Sequence, residues 1–171
     1  MSRVLVVDGY NIISDWPQLK TLKRDNLEAA RYTLCELLED YIPYPWAYIV
    51  VVFDGHKVSG GKKAFENQGK VQVVYTGEGE TADLFIEKLT AGAAGKVVIE
   101  VATSDLEEQR GVFVHGAVRL SSRELALRLT EEKEVIRSIY TDMNREGARR
   151  SLDEVLPPDL RERLERMRRQ K

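Results

Sequence analysis

The 171-residue chain has one cysteine, two histidines and no long apolar run. A lone Cys35 can form no internal disulfide, and one sulfur cannot close a thiolate zinc site. It sits among leucines at helical spacing, which makes it a small buried hydrophobe rather than a nucleophile. His56 and His115 are not spaced as a ligand pair, so a zinc hydrolase has no support. No segment approaches the roughly 20 apolar residues of a membrane span. The stretch MSRVLVVDGYN has neither the apolar core nor the small-residue cleavage site of a signal peptide. The expectation is a cytoplasmic protein without a membrane partner. Also missing are the G-x-x-x-x-G-K-S/T loop of P-loop NTPases and a G-x-G-x-x-G run after the first strand. Gly77-Glu78-Gly79 places a carboxylate where a phosphate cradle needs bare amides, so no nucleotide cofactor is expected.

What is present is an ordinary globular balance, 43% hydrophobic and 32% charged, at a length that suits one main core. The net charge of −2 hides an asymmetry. From Arg145 to Lys171 there are nine Lys and Arg against six Asp and Glu, a surplus of three positive charges. The remainder therefore carries −5. A basic tail on an acidic body suits RNA contact, but composition alone favours a solvated helix of alternating charge.

Strand and helix signals alternate. Val4 to Val7 is a buried strand ending at Asp8-Gly9, and Tyr48 to Phe53 is a second, ending at Asp54-Gly55. Between them Asp25 and Glu28 are spaced as a capping box. It leads into a helix through Leu27, Ala30, Leu34, Leu37, Leu38 and Tyr41, which Pro43 and Pro45 terminate. His56 to Lys70, rich in glycine and lysine, is expected as a loop or short helix. Val71 to Tyr75 is a third strand, followed by a helix starting at Thr81 or Ala82. Lys96 to Ala102 is a fourth strand, with Ser104 and Glu107 spaced to cap the next helix. Val118 to Leu120 is a fifth, short strand, and Ser121 with Glu124 caps a long helix. Pro157-Pro158 precedes a last basic helix. The pattern predicts an α/β fold with a parallel sheet of about five strands between helical layers, and a C-terminal helical extension. Residues 1–147 form the expected domain and 148–171 the basic tail.

Parallel strands bring their carboxyl ends to one side, where open sheets bind ligands. Asp8 and Asp54 end strands, Asp105 follows the fourth strand, and Asp83 lies in the first turn of a helix. Carboxylates so gathered repel one another, and a divalent cation removes that cost. Oxygen ligands of this kind suit Mg²⁺ or Mn²⁺, with water and phosphate oxygens completing the octahedron. Such an ion can activate a water and stabilise charge on a phosphate. Any one of these aspartates alone could equally be a turn residue or helix cap.

Other residues near these ends have two readings each. Asn11 hydrogen-bonds a ligand carboxylate or substrate, or merely shapes a turn. Tyr10 stacks on a base or packs over the sheet edge. Thr103 orients Asp105 or a water, and Ser104 caps a helix. His56 touches RNA or is an exposed loop residue. Arg123, Lys57, Lys62 and Lys63 hold phosphates or are only solvated.

Taken in order, DGYN at Asp8 to Asn11, FDG at Phe53 to Gly55, ETAD at Glu80 to Asp83 and VATSD at Val101 to Asp105 resemble the NYN domain, specifically its bacterial YacP-like branch. SSREL at Ser121 to Leu125 resembles that branch too, and the similarity runs from Arg3 to about Tyr140. The resemblance implies a PIN-like three-layer fold and metal-dependent endonuclease activity on RNA. It assigns Asp8, Asp83 and Asp105 to the catalytic metal site, with Asp54 a further ligand and Asn11 a polar partner. PIN nucleases often gather four acids; here the fourth is Asp54, Glu80 or Glu108. The family includes ribosome-associated nucleases acting on messenger RNA, which implies mRNA and the ribosome as partners.

The alternative is an RNA- or ribosome-binding module with no activity of its own. A cluster of acids argues against it, since a pure phosphate binder gains nothing from negative charge. Asp8 as a phosphotransfer nucleophile is poorly supported. Tyr10 stands where a haloacid-dehalogenase-type phosphatase needs a second Asp, and Lys96 lies at the wrong end of its strand for a receiver-like site.

Overall fold

A computed structural model describes residues 2–41, 46–55, 64–104, 116–131 and 133–134. The chain divides into two compact units, Met1–Leu129 and Thr130–Lys171. The fold and site below belong to the first.

Six strands form one sheet: β1 (Arg3–Asp8), β2 (Tyr48–Phe53), β3 (Ala64–Gln68), β4 (Val71–Tyr75), β5 (Val98–Ala102) and β6 (Val118–Leu120). Their order across the sheet is β3-β4-β2-β1-β5-β6, and only β3 is antiparallel to its neighbour. β1 is paired on both sides, Val6 lying opposite Val50 of β2 and Val101 of β5. The chain first builds outward from β1 through β2 and β4, then returns to its other side for β5 and β6. The carboxyl end of β1 is therefore where the direction of building reverses, the usual place for a crevice.

The strands read as unbroken apolar runs because both faces are covered. Leu5, Val7, Ile49, Val51, Phe53, Val71 and Val73 face a core shared with the helices α1 (Gly9–Asp15), α2 (Pro17–Asp25) and α3 (Leu27–Glu39). The alternate residues Val6, Val52, Val74, Ile99 and Val101 face a smaller core with Ala82 and Ile86 of α4 (Ala82–Ala93). This is the expected three-layer arrangement. Cys35 is buried in the larger core, and burial pushes its thiol up to about 12, as a packing residue requires.

Two local expectations need correction, and one segment for which the sequence gives no expectation is helical. Residues 64–68, expected as loop or short helix, form edge strand β3. It joins β4 through a two-residue turn in which Gly69 adopts φ +61, the left-handed value that tight hairpins demand. The segment after Asp8 holds two short helices, α1 and α2. Trp16 ends one, and Pro17 opens the other at its first position. Each is too short to show a clear helical period. The cap of α3 is Asn26, whose side chain accepts from the Ala29 amide at 3.0 Å, rather than Asp25. The Ser121–Glu124 box forms as expected: the Ser121 amide donates to Glu124 Oε2 at 2.7 Å, and the Glu124 amide donates to Ser121 Oγ at 3.2 Å. The helix that it starts covers residues 122–131.

One charge interrupts the apolar pattern of the sheet. Glu100, in the middle of β5, is 3% exposed. It accepts from the Trp46 indole at 3.0 Å and from Arg128 at 2.6 Å, and Arg3 lies 3.4 Å away. A buried carboxylate requires such partners. Glu100→Ala is expected to cost about 2–3 kcal/mol, mainly by leaving the buried Trp46 N–H without an acceptor; both arginines can return to water. Urea unfolding measures this, and a loss within ~0.5 kcal/mol would show the carboxylate to be dispensable.

Candidate active site

The site is built where β1 passes into α1. Asp8, the last residue of β1, is the N-cap of α1, its Oδ1 accepting from the Asn11 amide at 3.3 Å. Asp8 is 8% exposed. Gly9 follows because nothing larger fits: a Cβ there would lie 2.2 Å from the Phe53 ring. Phe53 ends β2, and Asp54 follows it directly. The Asp54-Gly55 turn is held against the segment after β4, with the Gly55 amide donating to Thr76 Oγ1 at 3.0 Å and the Thr76 amide to the Phe53 carbonyl at 3.0 Å. A Cβ on Gly55 would meet the Thr76 carbonyl oxygen at 1.8 Å, so this approach too depends on glycine. On the third side Thr81 caps α4, accepting from the Leu84 amide at 3.2 Å, which places Asp83 in the first turn.

These elements enclose an open cleft of about 410 Å³ lined by Asp8, Tyr10, Asn11, Ser14, Asp54, Thr81, Ala82 and Asp83. Three aspartates separated by up to 75 positions thus face one space. Of the candidates for a fourth acid, Asp54 lines the cleft, whereas Glu80 pairs with Lys88 at 3.1 Å and does not. Glu108, Asp105 and His56 lie outside the described residues. Among the described residues no three acidic, histidine or cysteine side chains stand close enough to grip an ion by themselves. The donor set is all hard oxygen, so the residues present suit Mg²⁺ or Mn²⁺.

The remaining expected site residues fall differently. Tyr10 lines the cleft, but its ring is 7% exposed and packs on Phe53 with centroids 5.0 Å apart. Arg31 donates to its hydroxyl at 2.9 Å. Tyr10 is a wall of the site rather than an open stacking platform. Thr103 is 1% exposed and its amide donates to the Leu120 carbonyl at 3.1 Å, extending the pairing of β5 with β6. It is too buried to meet a substrate. Arg123 is exposed on the helix of residues 122–131 and is not among the residues lining the cleft. Ser104 does reach the site, since its hydroxyl donates to Asn11 Oδ1. That bond occupies the Asn11 carbonyl and leaves its amide hydrogens as the groups able to meet a carboxylate or phosphate.

Two polar residues of α1 escaped the sequence reading because that helix did. Ser14, one turn beyond Tyr10, lines the cleft and donates to the Tyr10 carbonyl at 2.7 Å. Asp15, one turn beyond Asn11, has the Ser104 and Ser122 hydroxyls beside it, Ser122 Oγ donating to its Oδ2 at 2.5 Å, and these draw its pKa below the ordinary aspartate value. Burial opposes the effect, and Lys20 adds to it. The i, i+4 spacing of these pairs was the available signal.

A mostly parallel sheet, with helices on both faces and acids gathered at the carboxyl end of its central strand, defines a PIN-like domain of the NYN type, a nuclease-like class. The model of the YacP-like NYN domain family matches residues 5–169, and the chain belongs to that family. It is 48% identical over 124 residues to a protein of Bacillus subtilis strain 168 described as uncharacterized protein YacP, covering 71% of this chain and 72% of that one. Two crystal structures of Rae1 (YacP) from Bacillus subtilis are similar, both at 38% identity. A tryptophan-to-leucine mutant superimposes with a TM-score of 0.72 over 86% of this chain and 87% of that chain. The other gives 0.68 over 97% and 94%.

The lowered pKa of Asp15 has a pH consequence. Its folded-state pKa lies below its unfolded value of about 3.9, so its contribution is present above that value and is lost as the pH falls through the folded pKa. Because Asp15 is exposed, the contribution is small, about 0.5 kcal/mol. Asp15→Asn should be less stable than wild type by this amount at pH 7, and the difference should shrink as the pH falls below the ordinary aspartate value. A difference that stayed constant with falling pH would assign the effect to packing rather than charge.

Proposed function

We propose that this protein is a metal-dependent endoribonuclease that cleaves phosphodiester bonds of single-stranded RNA. The observation that carries the reading is the convergence of Asp8, Asp54 and Asp83 on one open cleft of an NYN domain. Asp8 and Asp83, with Asp105, would hold Mg²⁺ or Mn²⁺, and Asp54 is the further acid within reach of the same space. The ion, when bound, lowers the pKa of a water and offsets charge on the phosphate.

The chain's own residues have distinct tasks. The Asp8 carboxylate is kept in place by its capping bond to α1. Asn11, its carbonyl occupied by Ser104, directs amide hydrogens to a ligand carboxylate or a phosphate oxygen. Tyr10 and Thr81 wall the cleft, so that a strand enters from the open side. The basic tail supplies sequence-independent attraction for RNA. Messenger RNA presented by the ribosome is the substrate that the family resemblance favours, and the site of action is then the cytoplasm. A binding module without chemistry remains the competing reading. It gives no role to three carboxylates facing a polyanion.

The test is cleavage of a labelled single-stranded RNA with Mn²⁺, Mg²⁺ or EDTA, comparing wild type with Asp8→Asn and Asp83→Asn. Wild type should cut only with metal, and each variant should lose at least about a hundredfold in rate. Both variants should melt at or slightly above the metal-free wild type, because one repelling charge is gone. A variant that melts far lower would make its aspartate structural. RNA binding without cleavage, on free RNA and on translating ribosomes alike, would favour the binding module.

A further inference from the structure

The described lining of the cleft is acidic: three aspartates face it, and among the described residues no lysine or arginine lines it. A metal ion offsets part of that charge at the bond to be cut. The neighbouring phosphates of the same strand must still approach an acidic surface.

Among the described residues, Lys23 is placed to meet them. Lys23 of α2 donates from Nζ to Ser14 Oγ at 2.9 Å, and Ser14 lines the cleft. The Ser14 hydroxyl proton is already committed to the Tyr10 carbonyl, so its oxygen is turned to accept from the ammonium. Lys23 is thereby drawn from a neighbouring helix to the rim of the cleft. Its side chain is half-buried, which lowers the entropy cost of holding it there. An ammonium has three donors, and Ser14 takes one. Among the described residues Ser14 is its hydrogen-bond partner, and no carboxylate there neutralises it. A structural tie between α1 and α2 would need only a neutral group on a helix surface. A cation half-withdrawn from water beside an acid-lined cleft fits an anionic ligand better.

We propose that Lys23, oriented by Ser14, is the seat for a backbone phosphate of the RNA strand flanking the bond to be cut. The proposal rests on the nuclease reading and adds to it the side of the cleft along which the strand runs, across the α1–α2 edge. The contact is to phosphate, so it carries no base preference.

The experiment measures affinity for a fluorescent single-stranded RNA with Ca²⁺ in place of the active metal, across a range of salt concentrations. Full-length wild type is compared with Lys23→Gln, Lys23→Arg and Lys96→Gln. Lys96 bonds the Gly92 carbonyl just before β5, at the opposite end of the strands from the cleft, and removes the same charge. Lys23→Gln should flatten the plot of log affinity against log salt by about 0.7, the value for one phosphate contact on a single strand. Lys23→Arg should keep the slope, and Lys96→Gln should match wild type. Mn²⁺ affinity and melting temperature should be unchanged in Lys23→Gln, which separates phosphate contact from a lost helix tie. A Lys23→Gln slope equal to wild type overturns the proposal and leaves the nuclease reading standing. Equal flattening by Lys96→Gln also overturns it, because the effect is then one of net charge. Wild-type protein that neither binds nor cuts RNA overturns both.

Discussion

The contact between the Phe53 ring and Gly9 holds the site together. β1 and β2 are adjacent parallel strands, so their ends would lie side by side in any such sheet. What brings Asp8 and Asp54 into one cleft is that the turn into α1 closes directly over the end of β2. Only a residue without a Cβ permits this, because a Cβ on Gly9 would lie 2.2 Å from the ring. Phe53 is itself clamped between Tyr10 and Tyr75, with ring centroids 5.0 and 5.7 Å away, and Arg31 lies over Tyr75. The aromatic stack thus fixes the strand ends from beneath while the carboxylates look outward. A larger side chain at position 9 would move the helix, and with it the Asp8 cap, Asn11 and Ser14 together.

Carboxylates on this sheet stand in two settings with different physical roles, one inside a strand and the other at the strand ends. Glu100 is buried and fully engaged by an indole and two guanidinium groups, so it stabilises the fold and offers nothing to a ligand. The aspartates at the carboxyl ends face an open cleft, in which Asp83 is exposed, Asp54 half-buried and Asp8 buried. Both sets are carboxylates on or beside β-strands. Their surroundings, rather than their chemistry, decide which is structural and which is available for a reaction. The same distinction separates Arg128, committed to Glu100, from Lys23, held by a neutral hydroxyl.

Much of the architecture could be read from local pattern. The strands β1, β2, β4, β5 and β6, the helices α3 and α4, and the box at Ser121 and Glu124 each carry their signal within a few residues. The elements that escaped are those whose signal is not local. β3 is mostly polar and exposed, and it exists because β4 offers an edge and Gly69 supplies the turn. α1 and α2 are short helices whose burial comes from the sheet and from Trp16, whose indole donates to the Ser122 carbonyl at 3.1 Å. Missing α1 hid Ser14 and Asp15 as helix-face neighbours of Tyr10 and Asn11.

The sequence alone determined that strands and helices alternate, that the sheet is largely parallel, and that aspartates stand at the strand ends, because these follow from the order and spacing of residues along the chain. It also determined the family, through four short motifs in order. Only the tertiary structure decided which groups share a space. Asp54 enters the cleft and Glu80 does not, Tyr10 and Thr103 are buried rather than open to substrate, and Lys23 reaches Ser14 from another helix. Backbone preference acts over a few residues, whereas burial and hydrogen-bond partnership depend on which distant segments pack together. No local pattern contains that information until the chain has folded.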